Sequence, residues 1–357
     1  MDWLLLPINL PFSFMVIALF CALLLDWWLG DPDWLWRYTG HPVSWIGKIF
    51  IFFENIFNST LLSKQPYLLI LKGALSLLIV LLLVMAFSHM VVIFLHFVLH
   101  EQNVIRIMIE ALLIWPFLCW KSLSQHVLRI KDGLGIGLTK ARQNLSHIVG
   151  RDVSKLDQSA IVRASCESLS ENYSDGIIAP ILWYLAGGIY GIILYKAINT
   201  ADSQWGYRNR RFLYFGRMAA RLDDLANWIP ARVCALILVL FNGRLNSINI
   251  WVGVCRHAKR HGSPNAGWPE SALANIMGLS LGGPRCYGHE EENHQEQHKK
   301  GNDTYQWIGD GRSDLALNDL IKAHDLVKKT HLWLIFLIGL MVFIALINMI
   351  NVDYIGL

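Results

Sequence analysis

The stretch LLILKGALSLLIVLLLVMAFSHMVVIFLHFV, residues 68–98, decides the class of fold. It contains one charged side chain, Lys72, in an otherwise apolar run. Crossing about 30 Å of hydrocarbon takes about 17 to 25 apolar residues in a helix, and this stretch is longer than that. It therefore predicts a transmembrane helix.

Other apolar runs of suitable length predict further spans at 12–29, 104–120 and 332–350. The whole chain is 54% hydrophobic and only 16% charged, with a mean hydropathy of +0.38. These values exclude a disordered chain, a collagen-like repeat and a secreted disulfide scaffold. Fifteen Trp, eleven Tyr and sixteen Phe suit a protein that meets the lipid headgroup region repeatedly.

Strand patterns are nearly absent, because no segment alternates apolar and polar residues between turn signals. We predict an all-α integral membrane protein with about four transmembrane helices, re-entrant or half-buried helices, and a cytoplasmic helical catalytic region. The membrane-dipping segments are 177–198, which holds Pro180 and several glycines, and 228–241, which is short and contains Arg232. A charge or irregular backbone at membrane depth is tolerated where protein or a wet cavity surrounds it.

The 31 basic residues are unevenly distributed: none lies in 1–36 or 331–357, and only Arg106 lies between 73 and 120. The positive-inside rule then favours four spans with both chain ends outside the cytoplasm. We therefore expect an N-terminal membrane region at 1–120, a cytoplasm-facing catalytic region at 121–330 and a C-terminal transmembrane helix at 331–357. The first span lacks a basic n-region and a cleavage site, so we expect a retained anchor in the inner membrane.

The net charge of +4 and the lack of a long basic run argue against nucleic acid, but leave anionic lipid and phosphorylated small molecules open. Six cysteines show no CxxC pair or metal spacing, so we expect reduced thiols and no disulfide. The stretch HEEENHQEQHKK, residues 289–300, suggests a metal site or a solvated loop. Its histidine spacings match no compact site, so the solvated loop is the simpler interpretation.

Clusters of polar residues beside apolar segments are candidate functional sites, because each costs free energy in lipid unless it is paired or hydrated. Asp31 and His41 follow the first span, where such residues also simply cap and turn helices. Glu167 and Glu171 share a helix face just before Asp175. Local capping explains only one of these acids.

Two helical spacings suit a magnesium ion. Asn199 and Asp202 are three residues apart, while Asp223 and Asp224 lie four and three residues before Asn227. Carboxylate and amide oxygens on one helix face can bind Mg²⁺ whose remaining positions go to water and phosphate.

Arg217 and Arg221 precede this group by one and two turns and can bind phosphate or carboxylate in bidentate fashion. The alternative is a solvated face on which Arg221 pairs with Asp224, which is worth only about 0.2–0.5 kcal/mol. The chain has no Walker A sequence, and the glycine cluster at 133–137 follows no strand. A nucleotide would therefore need a different kind of site.

Six motifs occur in order along most of the chain. They are GDP at 30–32, HPV at 41–43, SENYSDGIIAP at 170–180, YKAINTADSQWGYRN at 195–209, FGRMAARLDDLANWIPAR at 215–232 and SPNAGWPESALA at 263–274. Together they resemble the CobD/CbiB family of cobalamin biosynthesis, the membrane adenosylcobinamide-phosphate synthases. The His-rich stretch at 289–300 departs from the family pattern.

The resemblance implies an ATP-dependent ligation that joins a carboxylate of adenosylcobyric acid to (R)-1-aminopropan-2-ol or its O-phosphate, with Mg²⁺ as cofactor. The expected metal ligands are Asp202, Asp223, Asp224 and Asn227. The side chains expected to bind the nucleotide or the corrinoid are Arg217, Arg221, Asn199, Ser263 and Asn265. The candidates for the base that deprotonates the amine are Glu171, Asp175 and, as a weaker one, His41.

Two other classes of protein fit parts of the pattern. Paired acidic motifs on membrane helices also suit a Mg²⁺-dependent intramembrane prenyltransferase that binds a diphosphate. A non-enzymatic regulatory or corrinoid-binding membrane protein would bind a corrinoid without nucleotide turnover.

The four-span topology predicts that a cysteine at position 209 faces the cytoplasm. In a cysteine-free background, Asn209→Cys should resist a membrane-impermeant maleimide in intact cells and react after the membrane is opened. Val352→Cys, in the C-terminal end expected outside, should react in intact cells. Labelling of position 209 from outside would overturn the topology.

Overall fold

The structure is a computed structural model that describes residues 10–58, 65–99, 102–207, 209–243, 246–283 and 306–355, without the side chains of 350–355. Of the residues that the structure describes, 80% are helical. Within the described ranges, the only sheet consists of two strands of two residues each. The predicted all-α membrane fold is confirmed.

The helices are α1 Phe12–Trp28, α2 Asp33–Thr39, α3 Pro42–Phe57, α4 Pro66–Leu99, α5 Asn103–Ile114, α6 Trp120–Ile136, α7 Leu138–Leu145, α8 Gln158–Tyr173, α9 Ala179–Trp205, α10 Arg217–Ala226, α11 Trp228–Asn242, α12 Ser247–His257, α13 Gly267–Met277 and α14 Leu317–Ile355. Short 3₁₀ turns lie at Trp115–Phe117 and Ala258–Arg260, and a π-helical turn lies at Ser174–Ile178. Strands β1 Leu281–Gly282 and β2 Trp307–Ile308 pair antiparallel, with Leu281 opposite Ile308.

In the part of the chain that the structure describes, four helical stretches are long and apolar enough to cross a membrane: Pro66–Leu99, Asn103–Ile136, Gln158–Trp205 and Leu317–Met349. Two bent helix pairs raise the number to six if each pair is one span. In the most apolar 18 residues of Leu317–Met349, only 6% is buried inside the protein, against 56% in the corresponding part of Gln158–Trp205. The first of these exposes apolar side chains as a lipid-facing helix does, and the second is packed largely against protein.

The predicted spans at 68–98 and 104–120 lie within two of these stretches, and the one at 332–350 overlaps Leu317–Met349 except at residue 350. Helix α1, in the predicted span at 12–29, has 17 residues and forms one candidate span together with Asp33–Phe57, from which it is bent by 108°. The fourth stretch, Gln158–Trp205, contains the segment 177–198. Its proposed re-entrant path stays a prediction, since length and composition alone do not fix topology.

The contacts group the chain into two units, and the first comprises Met1–Lys121, Ala179–Asn227 and Ile335–Leu357. Within this unit α4 and α10 pack against α9, α3 packs against α4 and α9, and α1 packs against α5. Helix α1 ends at Trp28, and Gly30, two residues further on, has a φ of +63°, a left-handed conformation that favours glycine. The predicted division at 120 and 330 stays a prediction about topology, whereas these units reflect packing.

The second unit comprises Ser122–Ile178 and Trp228–Leu334. Helix α13 is its centre, because α8, α11 and α12 all pack against it. Strand β1 lies on α8, so the β-hairpin is attached to this helical core.

Helix α4 approaches the chain at Phe215 so closely that only glycine fits at position 73. A Cβ atom added to Gly73 would lie 1.9 Å from the backbone carbonyl oxygen of Phe215. Backbone cannot move aside as a flexible side chain can, so the contact fixes the identity of this residue.

Gly73→Ala should therefore lower the Tm of the protein in detergent, by the equivalent of about 1–3 kcal/mol of overpacking. Gly187→Ala in α9 is the matched control, because a Cβ at that glycine meets nothing within 4 Å. The control should keep or slightly raise the Tm, since alanine favours a helix over glycine. Equal effects of the two substitutions would contradict the close contact.

Candidate functional site

A cluster of polar side chains lies where α9 packs against α10 in the first unit. Tyr195 Oη donates a hydrogen bond to Asn227 Oδ1 over 2.9 Å, and Asn227 Nδ2 donates to Asp223 Oδ2 over 3.0 Å. Asn199 Nδ2 donates to the other carboxylate oxygen of Asp223 over 3.4 Å. Asp223 is 9% exposed and Asn227 is 1% exposed. We call these four residues the Asp223 cluster.

Helical spacing and one indole hold the Asp223 cluster together. Tyr195 and Asn199 lie four residues apart on α9, and Asp223 on α10 lies four residues before Asn227, the C-cap of that helix, so each pair shares one face. Trp183 Nε1 donates to the carbonyl oxygen of Ala226 over 3.1 Å, and its ring stacks on Tyr195 with centroids 6.3 Å apart. The small side chain of Ala226 belongs to an apolar core with Tyr195 and Ile198. The carboxylate is thus held on rigid helices and not on a loop.

The structure brings together three of the residues predicted to bind metal or nucleotide, namely Asn199, Asp223 and Asn227. Asp224 is half-buried beside Asp223, and the two carboxylates repel each other electrostatically. Asp202 lies almost one turn beyond Asn199 on α9 and is half-buried. Of the predicted acids, Asp224 therefore lies near the Asp223 carboxylate that the amides hold in place.

This donor set fits a magnesium ion that takes most of its ligands from water and substrate and few from the protein. Among the described residues, no group of three or more His, Cys, Asp or Glu side chains can enclose a metal ion. Magnesium differs from zinc in this respect, because proteins usually bind it through one or two carboxylates, with water and substrate phosphates completing the octahedron. Asp223 supplies such a carboxylate, and each of its oxygens accepts a single hydrogen bond in the cluster.

Arg217 and Arg221 lie on α10 and are exposed. Neither forms a hydrogen bond or ion pair with any residue that the structure describes, so the predicted alternative, an Arg221–Asp224 pair, is not formed there. Exposed guanidinium groups that are not used within the fold are available to bind an anion.

Sequence reasoning missed two residues of this site, Tyr195 and Lys196. Tyr195 is fully buried and orients Asn227, while Lys196 is 9% exposed and lies one residue further along α9. The available signal was a lysine inside an apolar segment, since an ionisable residue at such a place is a functional candidate by default.

The candidate bases Glu171 and Asp175 belong to the second unit. Glu171 lies in the last turn of α8 and is exposed, whereas Asp175 is half-buried in the π-helical turn. Such turns are rare and often occur at functional sites. The two carboxylates therefore differ in exposure, although they are only four residues apart.

Glu167, in the same polar motif, has a structural role. Its Oε1 accepts a hydrogen bond from the backbone N–H of Gly282 over 2.7 Å, and its Oε2 lies 3.4 Å from Arg151 Nη2. The side chain is buried, so it attaches strand β1 to α8 through a charged contact shielded from water.

Ser263 and Asn265 lie immediately before α13. Ser263 Oγ accepts hydrogen bonds from the backbone N–H groups of Asn265 and Ala266, each over 3.2 Å. Asn265 Oδ1 accepts from Arg232, whose guanidinium carbon lies 4.6 Å from the ring centre of Trp268. Both predicted binding residues therefore also shape the loop in which they lie.

His41 caps helix α3. Its Nδ1 accepts a hydrogen bond from the backbone N–H of Val43 over 3.2 Å, and its Nε2 lies 3.4 Å from Asp31 Oδ1. Both ring nitrogens thus face partners within the protein, which ranks His41 below the two carboxylates as a candidate base.

Asp310, which follows β2, closes a small charged network in the second unit. Its carboxylate lies 2.9 Å from His257 Nε2 and 3.3 Å from Arg260 Nη1. Desolvation opposes ionisation, but the charge of His257 and the hydrogen bonds from Arg260 and His257 hold the pKa of Asp310 below its usual value. The network fixes the chain after β2 to α12.

The His-rich stretch at 289–300 and Cys286 lie outside the described residues. The other five cysteines are free thiols.

Tyr195→Phe should lower the Tm of the detergent-purified protein. The substitution keeps the ring but leaves the buried Asn227 Oδ1 without its donor, which costs about 1–3 kcal/mol. Tyr207→Phe is the control, because that side chain is 51% exposed and its ring contact with Phe212 survives. An unchanged Tm in Tyr195→Phe would mean that the hydrogen bond does not order the Asp223 cluster.

Comparison with known proteins identifies the family. The model of the CobD/Cbib protein family matches residues 19–317. Proteins named cobalamin biosynthesis protein CobD are 41% identical in Brucella suis biovar 1, over 77% of this chain and 84% of the relative, and 36% identical in Rhodobacter capsulatus, over 92% and 96%. No solved structure matches significantly. The chain that carries the Asp223 cluster belongs to the CobD/CbiB family of cobalamin biosynthesis proteins.

Proposed function

We propose that this protein is an adenosylcobinamide-phosphate synthase. It would form an amide between a side-chain carboxylate of adenosylcobyric acid and the amine of (R)-1-aminopropan-2-ol or of its O-phosphate, while ATP is converted to ADP and phosphate. Family membership supports a biosynthetic enzyme of the cobalamin pathway. The observation that carries the proposal is the buried Asp223 carboxylate, oriented by two amide donors, on a helix that also carries two exposed arginines.

The reaction needs activation because a carboxylate lacks a good leaving group. Transfer of the terminal phosphoryl group of ATP to a carboxylate oxygen supplies one. The amine nitrogen then bonds to the carbonyl carbon, the carbon–oxygen bond to phosphate breaks, and the nitrogen gives its proton to a base. Magnesium, when bound, neutralises charge on the phosphates.

In this proposal Asp223, with Asp202, Asp224 and Asn227, holds the magnesium ion, and Asn199 orients the Asp223 carboxylate. Arg217 and Arg221 bind the phosphates, because charge that develops during phosphoryl transfer is stabilised by donors fixed in advance.

The remaining roles concern the base and the corrinoid. Glu171 or Asp175 is the proposed base, ahead of His41. The loop with Ser263 and Asn265 is proposed to contact the corrinoid. The enzyme would lie in the cytoplasmic membrane with this chemistry on its cytoplasmic face, as the distribution of basic residues favours.

The direct test supplies purified protein in detergent with Mg²⁺, ATP and adenosylcobyric acid, together with either the free or the phosphorylated amine, and follows product mass. Product that requires ATP would establish the synthase and identify the amine. Corrinoid binding without product from either amine would favour the regulatory or binding role instead.

Asp223→Asn should reduce the rate of ligation by about 10²-fold or more while the protein still inserts into the membrane, because the site loses its positioned anionic ligand. Asp132→Asn is the control, since that side chain is 66% exposed and pairs only with the neighbouring Lys131. Magnesium titration of both variants shows whether the loss is in metal binding. Wild-type activity in Asp223→Asn would rule out the metal assignment.

A further inference from the structure

Lys196 is a largely buried lysine whose ammonium has no close partner among the described residues. It lies on α9 between Tyr195 and Asn199 of the Asp223 cluster, and 9% of its surface is exposed. Its ammonium forms neither a hydrogen bond nor an ion pair within 4.0 Å with any residue that the structure describes. It does interact electrostatically with the Asp223 carboxylate at longer range.

The hydrogen-bond partners of Asp223 are amides and not the ammonium of Lys196. Asn199 and Asn227 each donate one hydrogen bond to an oxygen of Asp223, which orients the carboxylate without neutralising its charge. A buried charge without close pairing costs free energy, and proteins commonly keep buried charges paired. A lysine retained under these conditions is explained most simply if an anion binds beside it.

The chemistry of the surroundings limits the kind of anion. A free carboxylate ligand would meet the negative charge of Asp223 as well as the ammonium. A phosphoryl group can bridge both, because its oxygens accept hydrogen bonds from the ammonium and also coordinate a magnesium ion held by Asp223. Lysine is a common phosphate-binding residue and acts there as a point charge with three donors.

We propose that Lys196 binds a phosphoryl group of a substrate beside Asp223. This inference rests on the proposed function, which supplies two sources of that group: the nucleotide, or the O-phosphate of the amine. Lys196 is then a substrate-binding residue and not only a counter-charge for the acids.

The test compares wild-type protein with Lys196→Met in detergent, with Lys196→Gln as a second variant if the first folds poorly. Lys48→Met on α3 is the control, because that lysine is exposed in the same unit. Two quantities are measured for each protein: the Tm without ligand, and the Kd for Mg-ATP, Mg-ADP, aminopropanol O-phosphate and free aminopropanol.

We expect Lys196→Met to keep or raise the unliganded Tm, because it removes an incompletely paired buried charge. The Kd for the phosphorylated ligand should rise about 10- to 100-fold, as for the loss of a charge-assisted hydrogen bond. A rise in Kd confined to the nucleotides identifies ATP as the source of the phosphoryl group. A rise in Kd confined to aminopropanol O-phosphate identifies the amine substrate as the source. The free amine and the Lys48→Met control should show no change.

Unchanged affinity for every phosphorylated ligand would overturn the inference. A lowered unliganded Tm with unchanged affinity would do the same, since it would make Lys196 a structural partner of Asp223. Binding is measured separately from ligation, so the two proposals can fail separately. If the protein binds nucleotide through Lys196 but forms no amide, the proposed synthase activity is wrong. If ligation occurs and the affinities of Lys196→Met are unchanged, only the proposed role of Lys196 is wrong.

Discussion

A backbone N–H or C=O group in hydrocarbon has no water to bind, and leaving it without a partner costs several kcal/mol. Helices satisfy these groups within one segment, which accounts for the 80% of described residues that are helical. The same constraint governs where the helices are interrupted. Breaks such as the turn at Gly30 and the π-helical turn at Ser174–Ile178 occur in motifs rich in polar residues.

Polar side chains are subject to the same constraint, and the Asp223 cluster and the two arginines of α10 meet it in different ways. Asp223, Asn199 and Asn227 satisfy one another through hydrogen bonds, which fixes the carboxylate in one orientation. Arg217 and Arg221 instead remain on the exposed side of α10. A site that must bind highly charged phosphates benefits from both arrangements, because one set of groups is positioned in advance and the other can reach its ligand.

Apolar length and helical spacing predicted the class of fold and the residues on each helix face. The pairing of Asp223 with Asn227 follows from a spacing of four residues, and it was available from the sequence. The contact between Asn199 and Asp223 was not, because it depends on how α9 and α10 pack. Lys196 was overlooked for a different reason: it was counted within an apolar segment, and its significance depends on what surrounds it. The span predicted at 12–29 stays a prediction, since α1 is bent by 108° from Asp33–Phe57, with which it forms one candidate span.

The antiparallel pairing of Leu281 with Ile308 brings the two ends of the intervening chain side by side. Glu167 holds one of these strands through the N–H of Gly282, and Arg260 holds the other through the carbonyl oxygen of Trp307. A segment that leaves and returns at neighbouring points can change in length at little cost to the rest of the fold, because the cost of closing a loop grows only slowly with its length. Evolution can therefore lengthen, shorten or recompose residues 284–305 while the helical core of the second unit stays the same.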